Sequence, residues 1–296
     1  CRDTGPAAAQ GPGSGFTADC CAHGLPLSAP LAHNRLMSIA LTRGVSPSLA
    51  RAELTHLERE PIDLDRAGEQ HAQYEAALAS LGWCVHPLAP EPDYPDAVFV
   101  EDTAVVLPEL AIITRPGAAS RRGETTSVAA ALRAWRALGC IEAPGTIDGG
   151  DVLRVGRELF VGHTGRTNED GIRQLRALAA PHGYTVTALA VTGCLHLKTA
   201  VTQVGDHTLL LNPGWIDPAP FAHLECLEID PDEPFAANAL RLGTTLLLAA
   251  AHPKTRARLE QRGFRVRPIE VDELAKAEGA LTCCSLLIEE GPETAM

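Results

Sequence analysis

The chain has 296 residues, a formal charge of −12 and an isoelectric point near 5.4. That length holds one or two domains with a large core, and the acid excess excludes a phosphate-binding nucleic-acid surface, which needs clustered Lys and Arg. No run approaches the ~20 apolar residues of a membrane span, no basic-then-apolar start marks a signal peptide, and nine cysteines without framework spacing read as reduced thiols of a cytoplasmic protein.

Residues 1–36 are rich in Ala, Pro and Gly and cannot supply a packed core. They predict a disordered or non-native extension, with Met37 as the expected start, a folded domain over 37–289 and a short tail over 290–296. Within the domain, residues 64–81 repeat apolar positions at helical spacing and stop at Gly82, and 84–88 follow as a strand. Residues 97–100, 104–107 and 111–114 are short apolar strands bounded by Pro and Gly. A helix over 128–138 stops at Gly139, with a strand over 141–143. A hairpin over 152–155 and 158–161 turns at Gly156-Arg157, then a helix over 172–178 leads to a strand over 184–191. Another hairpin over 197–204 and 208–211 turns at Gly205-Asp206. The last pairs 240–242 with 245–248 around Gly243, followed by a helix over 255–261 and a strand over 264–271.

The recurring unit is strand, strand, helix, strand, and a polar residue opens each one. Asp102, Asp148, His196, Asn238 and Cys283 fall at intervals of 46, 48, 42 and 45 residues. A period near 45 also suits a propeller blade of four strands, but the interposed helices disfavour it. A doubly wound sheet lacks its Gly-rich phosphate fingerprint. Five units in a ring would aim their opening residues at one axis.

Those residues suit covalent chemistry. Cys283 and His196 make a nucleophile and its proton partner, and the thiolate is the active form of the cysteine. Cys84, Cys140 and Cys226 read instead as small buried hydrophobes, and Cys284 should face away from Cys283. A lone His among apolar neighbours is more often structural, but the match of His196 to the Cys283 position favours function. Asp148, in Asp148-Gly149-Gly150-Asp151, could orient His196 as the third member of a triad; the two glycines allow close backbone approach or positive φ. Asp96, Glu101 and Asp102 bracket an apolar segment and would hold a guanidinium or ammonium group. Arg121 and Arg166, in loops, would pair with a carboxylate. Together they predict a zwitterionic substrate with a cationic side chain. Neither Cys20-Cys21 nor Cys283-Cys284 has the CxxC spacing of a structural zinc site.

The motifs Pro95-Asp96-Ala97-Val98-Phe99-Val100-Glu101-Asp102, Ile113-Thr114-Arg115-Pro116-Gly117, Asp148-Gly149-Gly150-Asp151-Val152, Arg166-Thr167-Asn168, Leu195-His196-Leu197-Lys198 and Leu281-Thr282-Cys283-Cys284-Ser285 occur in this order. They resemble the guanidino-group-modifying superfamily with the five-bladed ββαβ propeller, or pentein, fold, and within it the dimethylarginine dimethylaminohydrolase family. The resemblance spans about 41–288 and implies an α/β fold with pseudo-fivefold repeats. It implies Cys283 as nucleophile, His196 as general acid and base, and Asp148 as its orienting group. Asp102 would hold the guanidinium with Glu101 beside it, Asp96 and Leu54 the substrate amino group, and Arg121 and Arg166 its carboxylate, with Ala277 shaping the pocket. The implied reaction takes N-omega-methylated arginines to citrulline through a thiouronium adduct. No metal or organic cofactor is needed, zinc acting only as an inhibitor captured by Cys283 and His196. Neither nucleic acid nor membrane is an expected partner, and a homodimer is compatible with the resemblance.

Two other readings compete. An arginine deiminase resembles this chain but carries an aspartate two residues after the catalytic histidine, where this chain has Lys198. A pentein-fold binding protein has no need of the Cys283, His196 and Asp148 set. The loop from Arg43 to Pro61 is expected to act as a lid.

Overall fold

The computed structural model describes residues 38–289; the expectations for 1–36, for a start at Met37 and for 290–296 lie outside them. The first strand, β1 (Ile39–Arg43), is followed by α1 (Leu64–Ser80) and β2 (Cys84–Leu88), which runs parallel to β1. Asp63 caps α1 by accepting from Arg66 N, worth about 1 kcal/mol. The helix ends where Gly82 takes a φ of 90°, a left-handed turn that glycine enters without strain.

Four further units follow. The first is β3 (Ala104–Val106), β4 (Leu110–Ile113), α2 (Thr125–Leu132) and β5 (Ala137–Cys140). Next come β6 (Val152–Val155), β7 (Glu158–His163), α3 (Glu169–Ala179) and β8 (Thr185–Ala190). The third opens with α4 (Leu197–Ala200) and continues through β9 (Val201–Gly205), β10 (Thr208–Leu211) and β11 (Glu225–Glu228). A fourth holds β12 (Ala239–Leu242), β13 (Thr245–Ala249), α5 (Pro253–Gln261) and β14 (Arg265–Ile269). After α6 (Asp272–Ala275), β15 (Leu286–Ile288) pairs antiparallel with β1, so the chain's last described strand completes the sheet its first one began.

The result is five separate three-stranded sheets, each with an antiparallel pair and a parallel third strand. Opening strands pack on one another around the ring: β15 on β3, β6 on β9, β9 on β12. Apolar clusters fill the gaps between neighbouring units; Ile172, Leu175 and Ala179 of α3, for example, share one with Leu110 and Ile112 of β4. The α/β pentein expectation is met.

Several local expectations are corrected. Residues 97–100 are a turn running into a 3-10 segment, not a strand. The helix expected to run to 138 stops at Leu132, and the strand expected at 141–143 is β5 (Ala137–Cys140), because parallel pairing with β4 claims those residues. Between β10 and β11 the helix is reduced to the 3-10 turn Ala219–Phe221. Pro218 and Pro220 explain this, since a proline ring clashes inside a helix and lacks an N–H. The strand expected from 197 begins at Val201, after the short helix α4.

Candidate active site

One short turn precedes each opening strand, and four of the five opening residues sit in or beside those turns. Asp102 lies in the turn Val100–Thr103, Asp148 precedes Gly149–Asp151, His196 precedes α4, and Cys283 lies in Thr282–Cys284. The turns pack on one another, which brings residues nearly 200 positions apart to a common cleft.

Asp148 is fully buried, and its Oδ2 lies 3.0 Å from His196 Nε2, while Oδ1 accepts from Gly117 N at 2.8 Å. The other ring nitrogen of His196, Nδ1, stands 3.9 Å from Asp102 Oδ1, and that oxygen accepts from Gly150 N at 2.9 Å. A Cβ on Gly150 would come within 2.8 Å of both Asp102 Oδ1 and His196 Nδ1, so glycine is there for close approach and not for a positive φ. Burial pushes the His196 pKa down, but Asp102, Asp151 and Asp148 outweigh it and raise it to about 9. Burial also opposes ionisation of Asp102, yet His196 and Arg121 hold its pKa down at about 2. Asp102, Asp148 and His196 each bring a ligand atom within 4.8 Å of the others, a set able to hold a metal ion.

Asp151, quoted in the Asp-Gly-Gly-Asp motif but given no task, is fully buried. Its Oδ1 accepts from Leu197 N at 3.0 Å, and its Oδ2 from the hydroxyls of Thr164 and Thr167, each at 2.7 Å. It therefore ties the turn after His196 to the loop carrying Arg166. Burial lifts its pKa to about 6 against the opposing pull of His196.

Cys283 is half-buried at the cleft wall, and its thiol pKa is pushed up by burial and then by the Glu101 and Asp102 carboxylates. Cys284 is buried among the apolar residues beneath, but the strand alternation expected of the pair does not apply, because Thr282–Cys284 is a 3-10 turn and Cys283 packs against the same cluster. Cys84, Cys194, Cys226, Cys283 and Cys284 are free thiols, and Cys84 is exposed where a buried hydrophobe was expected. Glu101 is not in the cleft lining: its Oε1 takes the Lys198 ammonium at 2.5 Å and its Oε2 the Thr282 hydroxyl at 2.8 Å.

Asp96, Asp102, Arg121, Arg166, His196, Ala277 and Cys283 all line one cleft. Asp96 accepts from Glu53 N at 3.2 Å. Leu54, next to Glu53, is half-buried and outside the lining. Arg121 is almost saturated. Its Nε and Nη2 bond Glu124, Nη2 also bonds the carbonyls of Asp96 and Phe99, and Nη1 bonds Asp102 at 2.5 Å. Arg166 keeps more freedom, with Thr55 Oγ1 at 3.1 Å from Nη2 and Asp148 Oδ2 at 3.7 Å from Nη1. A cation would sit among carboxylates at one side of this cleft and a carboxylate near Arg166.

Sequence reasoning did not single out Glu53 or Glu278, both in the lining. Glu278 has a φ of 58°, and its carboxylate accepts from Thr55 N, His56 N and Leu57 N at 3.0, 2.5 and 2.7 Å. It fastens the segment expected to be a lid. A positive φ at a non-glycine residue is legible only in a structure.

No protein-family model matches the chain. Over 255 residues it is 43% identical to an N(G),N(G)-dimethylarginine dimethylaminohydrolase of Streptomyces coelicolor, covering 85% of this chain and 97% of that relative. The enzyme of that name from Pseudomonas aeruginosa is 34% identical over 226 residues, covering 76% of this chain and 89% of the relative. A solved structure of the Pseudomonas aeruginosa protein, a cysteine-to-serine mutant complexed with citrulline, matches with a TM-score of 0.81 at 32% identity over 85% of this chain and 99% of that one. The N-terminal domain of a cyanobacterial arginine dihydrolase has the same fold, with a TM-score of 0.77 at 20% identity over 86% of this chain and 98% of that one.

Proposed function

The chain belongs to the dimethylarginine dimethylaminohydrolase family of the pentein superfamily, and from that premise we propose how its own residues do the chemistry. It is a hydrolase of C–N bonds that converts N-omega-methylated arginines to citrulline and dimethylamine or methylamine through a covalent cysteine intermediate. One observation carries the residue assignment: His196, held by Asp148, shares a cleft with the Cys283 thiol, with the Asp96 and Asp102 carboxylates and with Arg166.

In the proposed reaction Asp102 receives the guanidinium, Asp96 the α-ammonium and Arg166 the carboxylate. Arg121 contributes to the carboxylate through the Nη1 hydrogen left over from its bond to Asp102. The Leu54 carbonyl assists the ammonium once the loop settles on substrate, and Ala277 keeps the wall narrow. Glu101 acts from behind the cleft. The Cys283 thiolate attacks the guanidinium carbon, and the Nδ1 side of the His196 imidazolium protonates the departing dimethylamine. A thiouronium cation remains on sulfur. Neutral His196 then takes a proton from water, the hydroxide adds to the same carbon, the C–S bond breaks, and citrulline leaves as its last proton passes to the sulfur or solvent. The cation beside Cys283 favours its thiolate, so bound substrate supplies charge that the empty site lacks.

Lys198 favours methylated substrates over free arginine. At the position where a deiminase has an aspartate, this chain places an ammonium, and it spends that ammonium on Glu101. Two carboxylates are thereby withdrawn from the guanidinium, leaving fewer acceptors for unsubstituted N–H groups and room for methyls. The test is citrulline release from asymmetric dimethylarginine and from arginine, side by side with a chelator present. Faster turnover of arginine reassigns the enzyme as a deiminase, and silence on both promotes the binding-protein reading.

The same proposal takes residues 37–289 as the catalytic unit of a cytoplasmic homodimer that uses no cofactor, with zinc inhibiting through Cys283 and His196. Among the described residues no helix is long and apolar enough to cross a membrane. Sedimentation tests the dimer, and titration with zinc during turnover tests the inhibition.

A further inference from the structure

Asn238 is the one unit-opening residue to which the reaction gives no task. Its side chain is buried and makes three hydrogen bonds, all to the turns beside His196 and Cys283. Nδ2 donates to Lys198 O and to Thr282 Oγ1, both at 3.0 Å, and Oδ1 accepts from Thr282 N at 3.1 Å. Lys198 stands two residues after His196, and Thr282 immediately precedes Cys283.

These bonds belong to a closed circuit. Having accepted from Asn238, the Thr282 hydroxyl donates to Glu101 Oε2 at 2.8 Å. Glu101 Oε1 takes the Lys198 ammonium, and the Lys198 carbonyl returns to Asn238. Reversing the carboxamide would set Oδ1 against the Lys198 carbonyl and Nδ2 against Thr282 N–H, so its orientation is fixed.

The ring's construction gives this circuit its importance. Among the described residues no strand ladder crosses from one unit to the next, apart from the isolated bridge of Val191 with Ile216. His196 opens the unit of β9–β11 and Cys283 the unit closed by β15, with the unit of β12–β14 between them. Asn238 opens that intervening unit and reaches partners 40 and 44 residues away on either side. Asn212, by contrast, bonds Gly214 N in its own loop and Pro234 O in the segment between β11 and β12.

We propose that Asn238 is a positioning residue whose carboxamide sets the separation and orientation of the Cys283 and His196 turns, so that thiolate and imidazolium reach the same carbon. This rests on the roles assigned to Cys283 and His196 above. A residue of this kind moves kcat more than KM, because Asp96, Asp102 and Arg166 are carried by other units.

The experiment compares full-chain Asn238→Leu, which keeps the shape and removes all three bonds, with the unaltered enzyme on asymmetric dimethylarginine. A misplacement of about 1 Å predicts a kcat lowered roughly 100-fold, with KM changed less than about threefold. Thr282→Val removes only the hydroxyl arm and should give a smaller loss, which Thr282→Ser recovers; it decides the matter if Asn238→Leu does not fold. An unchanged kcat in a folded variant overturns the proposal, as does a KM that rises in step with the loss of kcat. If the unaltered enzyme releases no citrulline, the functional reading fails and this inference with it. An active enzyme with an insensitive Asn238 sinks the inference alone.

Discussion

Replacing Lys198 by methionine would test the charge arrangement behind the cleft. The Lys198 and Glu101 side chains are 18% and 10% exposed, and they meet at 2.5 Å. Breaking a buried pair by removing one partner costs about 3–5 kcal/mol when the stranded charge must stay. Glu101 has a partial escape, because burial already raises its pKa, opposed chiefly by Lys198 and reinforced by Asp102. Without Lys198 that pKa rises further, and the carboxyl can take up a proton. A carboxyl whose folded pKa lies above its unfolded value is more ionised in the unfolded chain, so stability falls as pH rises through the window between the two. The variant should therefore lose about 3 kcal/mol near pH 8. That deficit should shrink by up to ~1.4 kcal/mol per pH unit as acid protonates Glu101. Against a total near 5–15 kcal/mol, urea unfolding at several pH values resolves the effect. Adding Glu101→Gln should restore most of the loss. A single variant within ~0.5 kcal/mol of the parent and flat with pH would refute the reasoning.

Three further outcomes are expected. Cys283→Ser should abolish citrulline release while leaving the unfolding midpoint unchanged; full activity there removes the covalent mechanism. Asp148→Asn withdraws one of the three carboxylates that lift the His196 pKa to about 9, so the alkaline limb of kcat should move to lower pH; a limb that stays in place would show that Asp148 does not set it. Glu278→Gln weakens the charge-assisted bonds to Thr55 N, His56 N and Leu57 N. Proteolysis within residues 53–57 should then speed up and KM should rise, whereas unchanged cleavage would mean that the loop is held by other contacts.

The unit openings were legible because each is a polar residue before an apolar hairpin, repeated every 42 to 48 positions. Their exact setting was not. The turn between His196 and β9 is held by Asp151 Oδ1 at Leu197 N, a bond across 46 residues that no local propensity encodes. Similarly, 133–138 continue a helical pattern, but Arg136 bonds the carbonyl of Leu107 and the chain enters β5 instead. Asp96, Asp102, Arg166, His196 and Cys283 could be read from motifs and do line one cleft, with Asp148 bonded to His196. Glu101 shares a motif with Asp102 yet turns away, because its partners Lys198 and Thr282 lie 97 and 181 residues along the chain. Glu278 and Glu53 looked like ordinary loop acids.

The charges around the cleft also explain why a cationic substrate suits this nucleophile. The same carboxylates act on both reacting groups in opposite senses. Asp102 raises the pKa of His196 by stabilising its cation, and raises that of Cys283 by repelling its anion. Both shifts favour imidazolium and thiol over the ion pair in the absence of ligand. Lys198 does little to relieve this, because Glu101 consumes its charge. Arg121, which could have supplied a cation, is bound to Glu124 and Asp102. In the proposed reaction the charge that ionises Cys283 arrives with the ligand. In the proposed binding mode a guanidinium on Asp102 offsets the repulsion between that carboxylate and the thiolate and presents its carbon to Cys283. Neutral ligands of the same shape would bind a site that stays unreactive, so selectivity for cations arises in the ionisation of the nucleophile as well as in binding.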